Sequence, residues 1–313
     1  MKKIFKMEQI KERNEKFPLL KNKIRFSKAI NAYNQLITHL FKLIINIQIL
    51  IKVLARENIQ IESLDTHSSY ITLSINQEGN QRILGDNFVP CPDKIYINGN
   101  KISEEICKIL FLNETSNSIK LVWSNEITNA SYMFSGSNIQ EIDFSYFNTS
   151  LIISMKYMFY NCKNLTTINF SNIDISLVTS MEFLFSSCTL LTNLDLSIHN
   201  SSSVKTMKYM FSSCTKLTSI DLSFLNTSSV TNMYGMFRNM RLTTLNLSNF
   251  DTSNVKNMGY MFNNSFKLKQ LNLSNFYTSK VTTMAYMFYN CYGLKKLDTS
   301  NFITSLAQCG SFV

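Results

Sequence analysis

Apolar and polar positions follow a phrase that returns every 25 or 26 residues from about Ile119 to Ser305. The copy at Leu242–Phe262 opens with leucines in the pattern Leu-x-x-Leu-x-Leu, followed by serine, and ends in Met-Phe. A phenylalanine closes each copy, at Phe134, Phe159, Phe185, Phe211, Phe237, Phe262 and Phe288. A fixed period of this length is typical of a solenoid, in which each turn contacts only its neighbours.

The first half of each copy predicts a short β-strand with one buried face. Leu245 and Leu247 flank a polar residue, which is the alternation of a half-buried strand. Neighbouring strands lie roughly 4.8 Å apart, so the polar residues are expected to form a column on the exposed sheet face. We take this column as the candidate binding face; its members are Asp143, Asn169, Asp195, Asp221, Asn246, Asn272 and Asp298.

The second half of each copy changes its period. Apolar residues recur at i, i+3, i+6 and i+7, which indicates one face of a short helix capped by Ser253 or Thr252. In the reference copy these apolar residues are Val255, Met258, Met261 and Phe262. Asn, Thr and Ser are poor helix formers, so Val-x-x-Met could instead be a second short strand. The predicted fold class is α/β, a leucine-rich-repeat-like solenoid with one strand plus one short helix per turn.

Two serine positions are the same in every copy. One follows the strand, at Ser145, Ser171, Ser197, Ser223, Ser248, Ser274 and Ser300. The other lies at the corner, at Ser150, Ser176, Ser202, Ser228, Ser253, Ser279 and Ser305. A corner leaves backbone groups without ladder partners, and hydroxyls can supply them. A nucleophilic serine would be needed only once, beside a base, so these serines are predicted to be structural.

Other reactive residues give no catalytic pattern. The chain has three histidines, and none has a metal-ligand spacing to a cysteine or to another histidine. Glycine is scarce and forms no phosphate-binding loop. We therefore expect no catalytic residues, no cofactor and no metal site, and predict that the protein is not an enzyme.

Seven cysteines leave an odd number for pairing. Cys162, Cys188, Cys214 and Cys291 occupy one slot of the repeat, which also accepts serine and methionine in other copies. Such a slot does not require a disulfide, and we expect buried free thiols there. The pairing of the remaining three, Cys91, Cys107 and Cys309, does not follow from the sequence.

Charge is concentrated at the N-terminus. Residues 1–60 hold 13 Lys/Arg against 4 Asp/Glu, a net charge of +9, whereas residues 61–313 hold 18 against 17. The repeats are nearly neutral in total, which disfavours nucleic acid as a partner. Attraction to an anionic surface is therefore expected to come from the N-terminal segment.

That segment combines a basic stretch, residues 1–28, with an amphipathic helix predicted over residues 29–56. The apolar face of the helix is formed by Leu36, Leu40, Leu43, Ile44, Ile47, Ile51 and Leu54. Three roles are open for it: a helix packed on the end of the solenoid, an anionic membrane contact through residues 1–56, or an atypical export signal. It does not have the form of an ordinary signal peptide, because the positive leader is too long.

Residues 61–118 interrupt the repeat and predict a β-rich N-terminal cap. Ile71, Leu73 and Ile75 alternate as in a strand, and Asn98-Gly99 is a tight-turn pair after a second apolar run. Terminal units of repeat proteins are atypical because they cover an otherwise open core. The predicted domains are residues 1–60, a basic segment with the amphipathic helix; 61–118, the cap; and 119–313, the solenoid.

The repeat phrase, as it stands at Leu242–Phe262, resembles the BspA-like leucine-rich-repeat surface proteins, which carry repeats of the mycoplasma-lipoprotein type. The resemblance covers nearly two-thirds of the chain. It implies a secreted or surface-displayed protein that binds a protein or an extracellular-matrix ligand, without catalysis.

Two functions follow as hypotheses. The first is a non-catalytic protein-binding or adhesion-type role, with the sheet face presented to a macromolecular partner. The alternative is a structural role, in which copies self-assemble through an open solenoid end.

Overall fold

The computed structural model describes residues 35–40, 42–45, 69–102, 107–171, 173–195, 200–295 and 297–303. The chain divides into two compact units, Met1–Thr66 and His67–Val313. In the first unit, residues 35–40 and 42–45 are α-helical, and the side chains of Leu36, Leu40 and Leu43 are exposed. The rest of the predicted amphipathic helix and the basic segment lie outside the described residues. None of the helical segments that the structure describes has the length and hydropathy of a membrane-spanning helix.

The second unit begins with a mixed six-stranded sheet. Its strands are β1 (Ser69–Ile75), β3 (Lys94–Ile97), β4 (Asn100–Lys101), β6 (Asn117–Trp123), β7 (Glu141–Asp143) and β8 (Thr167–Asn169), in the order β4-β3-β6-β1-β7-β8. The strand predicted at Ile71, Leu73 and Ile75 is confirmed as β1, and the second apolar run, before Asn98, forms β3. The turn between β3 and β4 has positive φ at Asn98 and Gly99. β1 pairs antiparallel with β7, whereas β7 pairs parallel with β8. One sheet therefore continues from the predicted cap into the first two repeats.

Four further strands form two small sheets. β2 (Gly79–Arg82) pairs antiparallel with β5 (Ile109–Leu112). β9 (Thr244–Leu245) pairs parallel with β10 (Gln270–Leu271), and both belong to the first half of a repeat. We call residues 127–303 the repeat array; within their described part, the first half of a copy forms at most a strand of three residues.

The second half of each copy is not helical. The alternate N–H groups of this segment donate to the next copy: Met155 to Ser180 O at 3.0 Å, and Tyr157 to Glu182 O at 2.8 Å. The N–H groups between them close four-residue turns, as Met158 does to Met155 O at 3.2 Å. An α-helix would use these donors within itself, four residues back. The apolar spacing that resembles a helix face here comes from consecutive tight turns.

These turns contain backbone conformations that a helix excludes. In each copy a residue with φ between 54° and 63° precedes the Met-Phe or Leu-Phe pair, and it is aromatic except at Gly235. The aromatic members are Tyr132, Tyr157, Phe183, Tyr209, Tyr260 and Tyr286. Bulky residues rarely adopt positive φ. Stacking of successive rings offsets the strain, with centroids 4.8 Å apart for Tyr132–Tyr157 and 4.5 Å for Tyr157–Phe183.

The predicted α/β class, a leucine-rich-repeat-like solenoid with one strand plus one short helix per turn, is therefore wrong. The described part of the second unit consists of strands in mixed sheets, isolated bridges and turns, without a helix. The other interpretation of Val-x-x-Met, a second short strand, is represented only by one isolated bridge residue in each copy. Single parallel bridges join one residue of each copy to its equivalent in the next copy; this residue precedes the first methionine of the segment, or Ala130 in the first copy. The bridged residues are Asn129, Ser154, Ser180, Thr206, Asn232, Asn257 and Thr283.

The core of the array is a column of the repeating phenylalanines. Each of the seven is at most 1% exposed, and successive rings stack with centroids 5.5 to 5.8 Å apart. Methionines such as Met233 and Met236 are also fully buried beside them. The phenylalanines and methionines of the phrase are thus buried, as the sequence predicts, although they lie in turns and not in helices.

Candidate functional site

Within the polar column, Asp143 and Asn169 lie in β7 and β8, and Asn246 and Asn272 directly follow β9 and β10, whereas Asp195, Asp221 and Asp298 lie in segments without a strand. We call the side of the array that carries these residues the strand face. Asn169, Asp195, Asp221, Asn246, Asn272 and Asp298 are exposed, and Asp143 is half-buried. The leucines and isoleucines beside them in the strands, such as Ile142 and Leu245, are buried. Alternation with period two therefore orients the column.

Six of the seven column side chains also accept a hydrogen bond from the backbone two residues later. The Oδ1 atom of Asp221 accepts a hydrogen bond from the N–H of Ser223 at 2.9 Å, and Asn246 does the same for Ser248 at 3.1 Å. Asp143, Asn169, Asn272 and Asp298 repeat this contact. We expected serine hydroxyls to supply partners for backbone groups; at this column the Asp or Asn side chain instead accepts the backbone N–H of the serine. The backbone and hydroxyl hydrogen bonds of Ser223 lower the pKa of Asp221, because they favour its charged form.

Buried hydroxyl groups also form hydrogen bonds between copies, and the sequence analysis did not predict these bonds. Thr252 is fully buried; its Oγ1 atom accepts from the N–H of Tyr277 at 2.8 Å and donates to Tyr277 O at 3.0 Å. Ser201, Thr227 and Thr278 bridge to the next copy in the same two ways. The available signal was the Thr or Ser immediately before the invariant corner serine; Ile175 breaks this pattern.

A groove of about 1130 Å³ opens on the strand face near the C-terminal copies. Its rim carries the exposed rings of Phe266 and Tyr292, which occupy the same position in successive copies. Lys269 and Lys295 form a second such pair. The backbone N–H of Lys269 donates to Thr243 O at 2.8 Å, which holds this segment against the preceding copy.

The lack of a side chain at Gly293 allows the backbone that lines the groove to pack closely against the preceding copy. A Cβ atom there would lie 2.6 Å from Leu268 O and 2.7 Å from Phe266 O, distances that no side chain tolerates. The Tyr292 hydroxyl contacts Asn290 Oδ1, which orients the ring at the rim.

The groove is cationic. Lys267, Lys269 and Lys295 line it, and none of them forms an ion pair among the residues that the structure describes. Lys156, by contrast, pairs with Glu182 at 2.9 Å. The signal in the sequence is local: residues 233–313 hold 8 Lys/Arg against 2 Asp/Glu, a net charge of +6, whereas residues 61–232 hold 10 against 15, a net charge of −5. The near-neutral total of the repeats conceals this separation of charge.

A second, smaller hollow of about 290 Å³ lies at the other end of the strand face. Glu141 and Asp143 line it together with Thr72 and Ser74 of β1 and residues of β8. The strand face therefore carries an acidic hollow at its N-terminal end and a cationic groove at its C-terminal end.

The cysteines fall into two classes. Cys91 and Cys107 form a disulfide, with Cα atoms 5.8 Å apart. The repeat-slot cysteines are free and buried, as predicted. The Sγ atom of Cys214 donates to Phe185 O at 3.0 Å, and burial raises the pKa of this thiol to about 12, so that it stays protonated and unreactive. Among the described residues, no group of three or more His, Cys, Asp or Glu side chains could hold a metal ion.

The fold and the two surface hollows define an array of short repeats that hydrogen-bond side by side and present one common face. The family model described as "Mycoplasma protein of unknown function, DUF285" matches residues 107–222 and 211–309. The chain belongs to this family of mycoplasma repeat proteins. No curated protein and no solved structure matches the chain.

Proposed function

We propose that this protein is a non-catalytic binding protein that presents the strand face of its repeat array to a macromolecular partner. The observation that carries the proposal is the column of side chains on that face, of which the members from Asn169 to Asp298 are exposed. Repeat arrays commonly bind along such a surface, because it is rigid, extended and regular. The column residues are held by hydrogen bonds to the following turn, so they would reach a partner already ordered, at a small cost in entropy.

A location at the cell surface or outside the cell is part of this proposal. The Cys91–Cys107 disulfide supports it, since such bonds persist in oxidising compartments. The resemblance to BspA-like surface proteins also supports it, and points to adhesion to a protein or matrix ligand.

The test is capture of partners by immobilised full-length protein, with quantitative mass spectrometry of what is retained. Asp221→Asn with Asp298→Asn removes two charges from the strand face but keeps the oxygen that each turn needs. Asp174→Asn with Asp251→Asn is the matched control, because these residues accept the same bond from Ser176 and Ser253 at the other corner. Partners should be retained by the wild type and the control, and weakened by the face variant. Equal retention by both variants would contradict the use of this face.

A second candidate function is self-association, which the separation of charge favours. The acidic hollow beside Glu141 and the cationic groove beside Lys269 lie on one molecule, so each could face the opposite hollow of another copy. Light scattering after size-exclusion chromatography tests this function over a range of protein and salt concentrations. A complex that dissociates with salt is expected; a monomer at every protein concentration would refute self-association.

A further inference from the structure

We propose that the cationic groove beside Lys269 and Lys295 binds an anionic polysaccharide, a chain of sugar units that carry carboxylate or sulfate groups. This inference rests on the proposed binding function and names the chemical class of the ligand. Three kinds of side chain meet in the groove, and each matches one property of such a sugar chain.

The first kind is aromatic. Phe266 is 47% exposed and Tyr292 is 81% exposed, although both are large enough to be buried in an ordinary core. Their rings stand in the same position of two successive copies. The C–H side of a sugar ring is apolar and can pack on an exposed aromatic ring, which removes both surfaces from water.

The second kind is cationic. Lys267, Lys269 and Lys295 approach the same groove without a carboxylate partner among the described residues. An incoming carboxylate or sulfate would form charge-assisted hydrogen bonds with them and would not have to displace an existing ion pair. Because Lys269 and Lys295 occupy the same position in two successive copies, as the two rings do, a linear ligand along the groove would meet a ring and a lysine in each of these two copies.

The third kind is neutral and polar. Thr243, Gln270 and Asn272 line the groove beside the lysines. Hydroxyl and amide groups can both donate and accept hydrogen bonds, as a ligand rich in hydroxyl groups requires.

Single-stranded nucleic acid would satisfy the rings and the lysines, since its bases stack and its phosphates are anionic. It accounts less well for the neutral groups. The Cys91–Cys107 disulfide is also typical of compartments in which surface polysaccharides are exposed. The observations therefore favour the polysaccharide, and nucleic acid becomes a competing outcome of the test.

The experiment measures binding of the full chain to fluorescein-labelled heparin and hyaluronan oligosaccharides by fluorescence anisotropy. Neutral dextran and a labelled oligothymidylate serve as comparison probes. Lys269→Gln with Lys295→Gln removes the paired lysines, and Tyr292→Ala removes one ring while Tyr292→Phe keeps it. The matched control is Lys205→Gln with Lys256→Gln, which removes the same charge from exposed lysines outside the groove.

Saturable binding to at least one anionic oligosaccharide, and none to dextran, is expected. The groove double variant should weaken the affinity about tenfold or more, as the loss of two charge-assisted contacts implies. Tyr292→Ala should also weaken it, Tyr292→Phe should restore it, and the control pair should change it less than about threefold, by screened long-range charge alone.

Three results would overturn the inference: no saturable binding to either anionic oligosaccharide, an equal loss in the control pair, or tighter binding of oligothymidylate through the same lysines and ring. The last result would assign the groove to nucleic acid. If oligosaccharide binding fails while partner capture still depends on the column residues, only the proposal of a polysaccharide ligand is refuted. If the face variant and its control retain partners equally while oligosaccharide binding is intact, only the proposal that the column binds a macromolecular partner is refuted.

Discussion

Replacement of Thr252 by valine tests whether buried hydroxyl groups join successive repeats or merely fill space between them. The side chain is fully buried, and its Oγ1 atom bonds both the N–H and the C=O of Tyr277 in the next copy. Valine has nearly the same shape, so the substitution removes the two hydrogen bonds without opening a cavity. The Tyr277 backbone groups then lose their partner in a place that water does not reach.

The expected cost follows from those two groups. A buried donor or acceptor that is left without a partner costs about 1–3 kcal/mol. For two groups on one peptide segment, with some local relaxation, Thr252→Val should lower the free energy of unfolding by about 2–4 kcal/mol. Thr252→Ser is the matched variant, because it keeps the hydroxyl and loses one methyl group. Its expected cost is about 1 kcal/mol, and serine occupies this position naturally at Ser201.

The assay is urea unfolding of the full chain, followed by circular dichroism, for the wild type and both variants. Thr252→Val should be the less stable variant by a clear margin. If Thr252→Ser proved equally or more destabilising, apolar packing would dominate at this position and the hydroxyl contact would be incidental. Ile175 occupies the equivalent position in another copy, so Ile175→Thr is the reverse test and should leave stability unchanged or increase it.

Three further predictions concern the core, the strand face and the N-terminus. Phe237→Ala should lower the free energy of unfolding by about 3–5 kcal/mol and the exposed Asn246→Ala by far less; equal costs in urea unfolding would contradict the assigned faces. The pKa of Asp221 is lowered in the folded state, so its contribution to stability is present above the unfolded value of about 4 and is lost as the pH falls through the folded value. The melting temperature of the wild type should therefore fall relative to that of Asp221→Asn only below about pH 4. A difference between the two that varies from pH 5 to pH 8 would refute this. Co-sedimentation with anionic liposomes should require residues 1–56 and weaken with salt, so undiminished sedimentation of a chain that begins at Ile61 would exclude that segment as the membrane contact.

Periodicity in the sequence was enough to predict that the repeating phenylalanines and methionines are buried and that most of the polar column is exposed, but not that Thr252 is buried. Burial depends on which residues are apolar, and the column from Asp143 to Asp298 and the phenylalanines repeat in a fixed order. The same periodicity could not distinguish a helix from consecutive tight turns, because both place every third or fourth residue on one side. Here the alternate backbone N–H groups of Met155, Tyr157 and Phe159 have acceptors in the next copy, and those acceptors are in place only after the copies pack together.

The candidate sites divide in the same way. The strand-face column is a local property, since alternation along one strand orients each side chain, and it could be predicted. The cationic groove joins side chains from successive copies, and its position depends on the close approach at Gly293 that brings one copy against the carbonyls of another. The double contact of Thr252 with Tyr277 is likewise a contact between copies. The sequence by itself determined the repeat, its core residues and its exposed column, because these depend on local chemistry. Only the tertiary structure decided that turns replace helices and that rings and lysines share a groove, because both result from contacts between residues about 25 positions apart.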